Sequence, residues 1–195
     1  MSDAMQLLWE YTGTDEQYVN ERAWEMASLE RCPFHPEEDC GLQRLGTYER
    51  VRPVGAQVAR WWCRLQGASV SLLPSFLAAR LVGTLAEVEA VVEAVEHAGS
   101  VRGAVDVVHP PDREDAISLA CAERSIRRRV RSVRAALLAI ATLLADRFMG
   151  VAPTLEAFRS ALGGVDRVLM ALRTLARRHL GALPVPLGFR ARASG

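Results

Sequence analysis

The chain has 195 residues, half of them hydrophobic, with 24 basic and 23 acidic side chains and a formal net charge of +1. A chain of this length can bury one or two hydrophobic cores without disulfide cross-links. All of the basic residues are arginine, because the sequence contains no lysine. Ala, Gly, Val and Leu are over-used as well, which indicates a base-composition bias. The placement of the arginines is therefore more informative than their number.

The sequence excludes a membrane span and a secretory signal. Its longest apolar run, residues 135–145, is far shorter than the roughly 18 residues that a bilayer-crossing helix needs. Residues 1–6 lack the basic and apolar regions of a signal peptide. We therefore expect a cytoplasmic protein without membrane contact, in which the four cysteines stay reduced and either bind a metal or are simply buried.

Charge is segregated along the chain. Residues 1–40 carry a net charge of −8 and residues 41–80 carry +5, whereas residues 81–123 carry −7 and residues 124–195 carry +11. This alternation predicts two electropositive surfaces. The alternative is that the opposed blocks neutralise one another inside the fold.

The order of the predicted elements divides the chain into four parts. Residues 1–30 form an acidic N-terminal segment with partial helical character, and residues 31–77 form a small β-rich, zinc-ribbon-like module. Residues 78–181 form a helical domain, and residues 182–195 form a flexible tail. The predicted fold class is therefore mainly α, with the β-rich module followed by a helical domain that contains a helix-turn-helix.

Short apolar runs and turn residues set the predicted boundaries. In the module, strands are expected at residues 47–51, 57–62 and 69–73. A capping-box pattern, Thr84 with Glu87, begins the first helix, which ends at Gly99. The later helices are expected at residues 112–120, 123–147, 154–162 and 165–180.

Cysteine and histidine side chains cluster at the start of the β-rich module. Cys32, His35 and Cys40 lie within nine residues, and Cys63 follows at the end of a predicted strand. Four such ligands are typical of a structural zinc site. Gln66 stands where a complete ribbon would carry a second cysteine in its second turn. Three interpretations stay open: one zinc ion on these four residues, a degenerate ribbon that has lost its metal, or unrelated buried cysteines.

An arginine-rich helix is the second candidate site. Four arginines near its start lie on one side of the helix and form a stripe: Arg124, Arg127, Arg128 and Arg131. Together with Arg134 they would suit contacts to the phosphates and bases of DNA. The short helix before it and a tight junction at Cys121-Ala122 predict a helix-turn-helix. The alternatives are a solvated helix face and an acidic protein partner. Arg60 and Arg64 of the β-rich module are further candidate DNA contacts.

The same helix carries an apolar seam on its opposite side. Its members step by four and three residues, as in a helix that packs on neighbours or on a second copy: Ile126, Val130, Val133, Leu137, Ile140 and Leu144. The seam therefore predicts, as the alternative function, a protein–protein interaction module that forms a helical homodimer. No Ser/His/Asp or Cys/His arrangement, phosphate loop or paired carboxylate pattern indicates an enzyme.

Four segments carry a resemblance to a known family. They are Cys32-Pro33 with Cys40-Gly41, residues 45–50 (LGTYER), residues 59–63 (ARWWC) and residues 71–77 (SLLPSFL). Together they resemble the N-terminal zinc-ribbon and helix-turn-helix region of bacterial insertion-sequence transposases and related transposase-like proteins of unknown function. The resemblance covers about residues 31–134 and implies duplex DNA recognition by a mobile-element protein.

The catalytic part of such transposases is not expected here. A ribonuclease-H-like domain needs three separated carboxylates that hold two metal ions. After residue 124 only Asp146, Glu156 and Asp166 remain, within helical patterns. The resemblance therefore implies a DNA-binding protein that does not catalyse strand transfer.

Overall fold

The computed structural model describes residues 4–110 and 118–189. Within them lie seven α-helices and one four-stranded sheet, so that 44% of the described residues are helical and 16% are in strands. The fold is therefore mixed α/β. The predicted mainly α class is correct only in that helix exceeds strand. The chain divides into a first unit, residues 1–77 with 82–84, and a second unit, residues 78–81 with 85–195.

The first unit is built on the sheet. Its strands are β1 (Ala4–Trp9), β2 (Gln43–Glu49), β3 (Gln57–Cys63) and β4 (Ala68–Pro74). Their order across the sheet is β1-β4-β3-β2, with β1 parallel to β4 and the other neighbours antiparallel. The three predicted strands are confirmed to within a few residues.

The prediction for residues 1–30 is partly wrong. Residues 4–9 form β1, which the sequence did not reveal because its apolar residues do not alternate with polar ones. The helical character is confined to α1 (Asp15–Asn20) and a 3-10 turn at Ala23–Glu25. The first unit is thus a sheet that includes its own N-terminal segment, rather than an isolated β-rich module.

Aromatic side chains form much of the core beside the sheet. Tyr18 of α1 is fully buried, and its hydroxyl donates a hydrogen bond of 2.5 Å to the backbone oxygen of Gln57. The rings of Trp9, Tyr11, Trp24 and Phe76 pack around it at centroid distances of 5.2–6.0 Å. This packing and the hydrogen bond to β3 hold α1 beside the sheet and explain why an acidic segment folds with it.

The second unit is helical. Its helices are α2 (Leu85–Ala98), α3 (Val101–Val108), α4 (Leu119–Leu143), α5 (Ala145–Phe148), α6 (Leu155–Ala161) and α7 (Val168–Leu175). The predicted helices at residues 84–99 and 154–162 are confirmed, and a 3-10 turn at Arg177–His179 ends the last one. Helix α3 was not predicted, because Gly103 and the short length weaken its helical pattern.

Helix α4 begins earlier than predicted. Ser118 is its N-cap, and the Ser118 hydroxyl accepts a hydrogen bond of 3.4 Å from the backbone N–H of Cys121. Cys121 and Ala122 therefore lie in the first turn of the helix, and the predicted turn at this junction is wrong. The predicted helix start at Asp112 lies outside the described residues. A helix-turn-helix is accordingly not confirmed.

The apolar seam of α4 is used inside the second unit. Ile126 and Ala122 pack with Val91 of α2 and Val105 of α3. Of the six seam residues, Val130 and Leu144 are half-buried and the other four are buried: Ile126, Val133, Leu137 and Ile140. The four buried members of the seam are therefore core residues of the second unit. Formation of a helical homodimer stays a prediction.

Residues 182–189 do not form part of a flexible tail. Leu183 and Leu187 are fully buried. Arg173 of α7, itself buried, donates hydrogen bonds from its guanidinium group to the backbone oxygens of Leu187 at 3.0 Å and Pro186 at 2.5 Å. A buried arginine that satisfies buried carbonyl groups holds this segment against the helix.

Candidate metal centre and arginine surface

Four potential ligands meet in the first unit. One ligand atom from each of Cys32, His35, Cys40 and Cys63 lies within 4.8 Å of the other three. The Nδ1 atom of His35 is 3.4 Å from the Sγ atom of Cys63 and 4.0 Å from that of Cys32. Tetrahedral zinc with Zn–S bonds of about 2.3 Å separates its sulfur ligands by about 3.8 Å. The cluster has the right size for one ion.

Local backbone structure brings these residues together. Cys32, His35 and Cys40 lie on an irregular segment before β2, whereas Cys63 is the last residue of β3. Gly41 has a φ of +65°, which a residue without a side chain adopts at little cost, and the chain turns there directly after Cys40. The sheet supplies the fixed position of Cys63, and the turn returns the chain towards β2.

The cluster is shielded from water. Cys32, Cys40 and Cys63 are buried, with Phe34 and Leu42 packed against them. His35 is half-buried. A dry shell of this kind excludes competing water ligands and holds the ligand atoms in place.

Backbone N–H groups also point at the sulfur atoms. Gln66 donates its backbone N–H to the Sγ atom of Cys63 at 3.3 Å, while its side chain is exposed. The residue that replaces the expected second cysteine therefore supports Cys63 through its main chain. The imidazole of His35 completes the group of four candidate ligands, which the side chain of Gln66 does not join.

Two thiols of the cluster have shifted pKa values. Burial works against ionisation of Cys32, but the backbone N–H groups of Phe34 and His35 and the side chains of His35 and Cys40 stabilise the thiolate and lower its pKa to about 7. Burial, followed by the neighbouring sulfur atoms of Cys32 and Cys63, raises the pKa of Cys40 to about 12. Cys32 therefore ionises more readily than Cys40, and a bound cation would stabilise the thiolate form of Cys40.

The predicted arginine stripe lies on the exposed side of α4. The arginines at positions 124, 127, 128, 131 and 134 are all exposed. Glu123 interrupts this positive surface, because its carboxylate pairs with Arg127 at 2.6 Å and with Arg102 of α3 at 3.3 Å. Neither Glu123 nor Arg102 was among the predicted site residues, although the four-residue spacing of Glu123 and Arg127 is typical of an ion pair on one helix.

The two candidate arginines of the first unit differ in environment. Arg60 is half-buried on the sheet, with its guanidinium carbon 5.8 Å from the centroid of the Tyr48 ring and one nitrogen 3.5 Å from the Ser69 hydroxyl. Arg64 is exposed in the turn after Cys63. Arg60 is thus engaged within the fold, and Arg64 is the more accessible of the two.

The fold and the site define a mixed α/β protein with a Cys₃His cluster suited to one metal ion. No protein-family model, curated protein or solved structure matches the chain. The resemblance to transposase N-terminal regions therefore stays a prediction. None of the helices in the described part of the chain has the length and apolarity needed to cross a membrane.

Proposed function

We propose that the first unit binds one zinc ion through Cys32, His35, Cys40 and Cys63. The convergence of three sulfur atoms and an imidazole nitrogen within 4.8 Å supports this proposal. Thiolate and imidazole ligands favour zinc, whereas Mg²⁺ and Ca²⁺ prefer oxygen.

The role of the ion is structural. Four protein ligands complete a tetrahedral site, which leaves no open position for a substrate or an activated water. The ion would connect the irregular segment around Cys32 and Cys40 to the end of β3. Because such sites contribute their binding free energy to folding, zinc would stabilise the arrangement of residues 32–42 beside the sheet.

Metal analysis of the untagged full-length protein tests this proposal. We expect one zinc ion per chain after extensive dialysis, and a lower melting temperature after removal of zinc with a chelator, reversed when zinc is added back. Purified, folded protein without stoichiometric zinc that also fails to take up added zinc would overturn the proposal.

We further propose that the protein binds duplex DNA, without catalysis, through the exposed side of α4. The position of five arginines on that side favours this second candidate function. Exposed guanidinium groups attract the phosphate backbone of duplex DNA. Arginine also forms bidentate hydrogen bonds to phosphate and to guanine.

The DNA proposal predicts strong salt dependence. Each arginine–phosphate contact releases counterions, so log K should fall linearly with log salt concentration with a slope of about −0.9 per contact. Fluorescence anisotropy with a labelled duplex measures this slope. Absence of detectable binding at about 50 mM salt, where electrostatic affinity is strong, would contradict DNA binding.

A further inference from the structure

Arg102, Glu123 and Arg127 form a linked charge group at the side of the arginine surface. Glu123 lies in the second turn of α4 and contacts Arg127 on the same helix and Arg102 on α3. The side chains of Arg102 and Arg127 are 67% and 51% exposed, whereas that of Glu123 is only 17% exposed. The two guanidinium groups therefore face solvent while the carboxylate lies beneath them.

This arrangement gives the group a net charge of +1 from two cations and one anion. The Glu123 carboxylate accepts hydrogen bonds from the guanidinium groups of Arg102 and Arg127. A bound phosphate would use the same donors. A phosphate that approaches Arg127 must compete with Glu123 at 2.6 Å. Because the Glu123 side chain is only 17% exposed, a phosphate that replaces it leaves a largely buried carboxylate without its partner, so this displacement has a cost.

We propose that the polyanion surface extends from α4 onto α3 through Arg102, and that Glu123 is an internal competitor that limits its affinity for duplex DNA. This inference rests on the proposed binding of DNA by α4. Charge complementarity favours a polyanion as the occupant, because the described residues of α3 and α4 carry two carboxylates, those of Asp106 and Glu123, against six exposed arginines: Arg102, Arg124, Arg127, Arg128, Arg131 and Arg134.

The test compares full-length variants with one labelled duplex over a salt series. We expect Glu123→Gln, which is nearly isosteric, to tighten binding by about three- to ten-fold at about 50 mM salt, because two arginines become free to contact phosphates. We expect Arg102→Ala to reduce the magnitude of the salt slope by about 0.9. In the double variant, the loss of Arg102 should remove part of the gain that Glu123→Gln gives.

Glu156→Gln is the matched control. It also removes one carboxylate charge that is paired with an arginine, in this case Arg159 on α6 at 3.5 Å, and leaves the α3–α4 group intact. Its affinity for DNA should equal that of the wild type. An equal gain in both glutamine variants would show that only net charge matters and would overturn the role of Glu123.

The remaining outcomes separate the inference from the function on which it rests. If the wild type binds DNA and α4 substitutions weaken it, while Glu123→Gln and Arg102→Ala leave affinity and slope unchanged, the inference is wrong and the DNA proposal stands. If neither the wild type nor Glu123→Gln binds DNA, both are wrong. Tighter binding to polyglutamate than to DNA would identify an acidic protein as the partner and overturn DNA as the occupant.

Discussion

Glu89 of α2 and Leu169 at the start of α7 are joined by a hydrogen bond of 2.9 Å from the backbone nitrogen of Leu169 to the Oε2 atom of Glu89. The other carboxylate oxygen accepts the N–H of Val168 at 2.8 Å. Seven residues further along α2, the Glu96 carboxylate accepts the N–H of Leu155 at the start of α6. Helix α2 thus supplies negatively charged caps to two other helices, which satisfies donors that have no partner within those helices.

Removal of the Glu89 carboxylate should destabilise the second unit. Glu89→Ala leaves two backbone N–H groups without their acceptor and weakens the ion pairs of Arg159, which also contacts Glu93. We expect a loss of about 2–4 kcal/mol in the free energy of unfolding, measured by urea denaturation. Glu89→Gln keeps an acceptor oxygen and should lose less. Equal losses in the two variants would argue against a capping role.

The burial of the Glu89 carboxyl group should also affect the pH dependence of stability. Burial and the nearby Glu93 raise the pKa of Glu89 above its ordinary value of 4.5, although the N–H groups of Leu169 and Val168 and the charge of Arg159 act in the opposite direction. The folded protein then binds this proton more tightly than the unfolded chain. The contribution to stability is complete below pH 4.5 and is lost as the pH rises through the folded-state pKa.

A comparison of the wild type with Glu89→Gln isolates this effect, because the other titrating groups cancel. As the pH rises from about 4.5, the stability of the wild type should fall relative to that of the glutamine variant. Urea denaturation at several pH values measures the difference. A difference that moves in the opposite direction would indicate a lowered pKa for Glu89.

Replacement of Arg173 should release the C-terminal segment. Arg173→Met keeps the length and apolar stem of the side chain but removes the guanidinium donor to the backbone oxygen of Leu187. It also removes one of the two donors to the backbone oxygen of Pro186, which keeps the N–H of Ala79. We expect a loss of about 2–4 kcal/mol and faster hydrogen exchange in residues 182–189. Arg178→Met, at an exposed position of the following 3-10 turn, is the control and should change neither measurement.

Substitutions of Cys63 and Gln66 in the candidate metal centre should have opposite effects on zinc affinity. Cys63→Ala removes a buried ligand, so zinc affinity should fall by at least about 100-fold. Gln66→Ala keeps the backbone N–H that points at Cys63 and changes only an exposed side chain, so the affinity should stay within about three-fold of the wild type. Competition with a chromogenic chelator measures both. A large loss in Gln66→Ala would mean that this side chain is itself a ligand.

The arginine surface of α4 should account for DNA affinity. Joint replacement of Arg127, Arg128 and Arg131 by alanine should reduce the magnitude of the salt slope by up to about 2.7 and weaken binding by at least ten-fold. Arg178→Ala removes an exposed arginine outside α4 and should have little effect. Unchanged DNA affinity in the triple variant would show that DNA contacts another surface. Arg64 of the first unit would then be the next residue to test.

Local patterns in the sequence were sufficient for most elements. Strands β3 and β4 and helices α2 and α6 follow apolar runs with clear turn or capping residues at their ends, such as Thr154, whose hydroxyl caps α6. The four candidate metal ligands were also identifiable, because cysteine and histidine at short spacing are typical of zinc sites. These features depend on neighbouring residues and can be read without a tertiary fold.

Other features required contacts between distant segments. Strand β1 is specified by its parallel pairing with β4, more than 60 residues away, and not by its own pattern. The seam of α4 has the spacing of a dimer interface, yet α2 and α3 cover it within the same chain. Periodicity shows which face of a helix is buried, but it does not show what covers that face.

The sequence by itself determined the residue types of both candidate sites: the Cys₃His set and the arginine stripe. The tertiary structure decided which atoms meet. It brought His35 to within 3.4 Å of Cys63, placed an exposed Gln66 side chain outside the cluster and put Glu123 between Arg102 and Arg127. The physical reason is that ligand geometry and ion pairing act over a few ångströms in space, whereas the residues that contribute to them are separated by up to 31 positions in the chain.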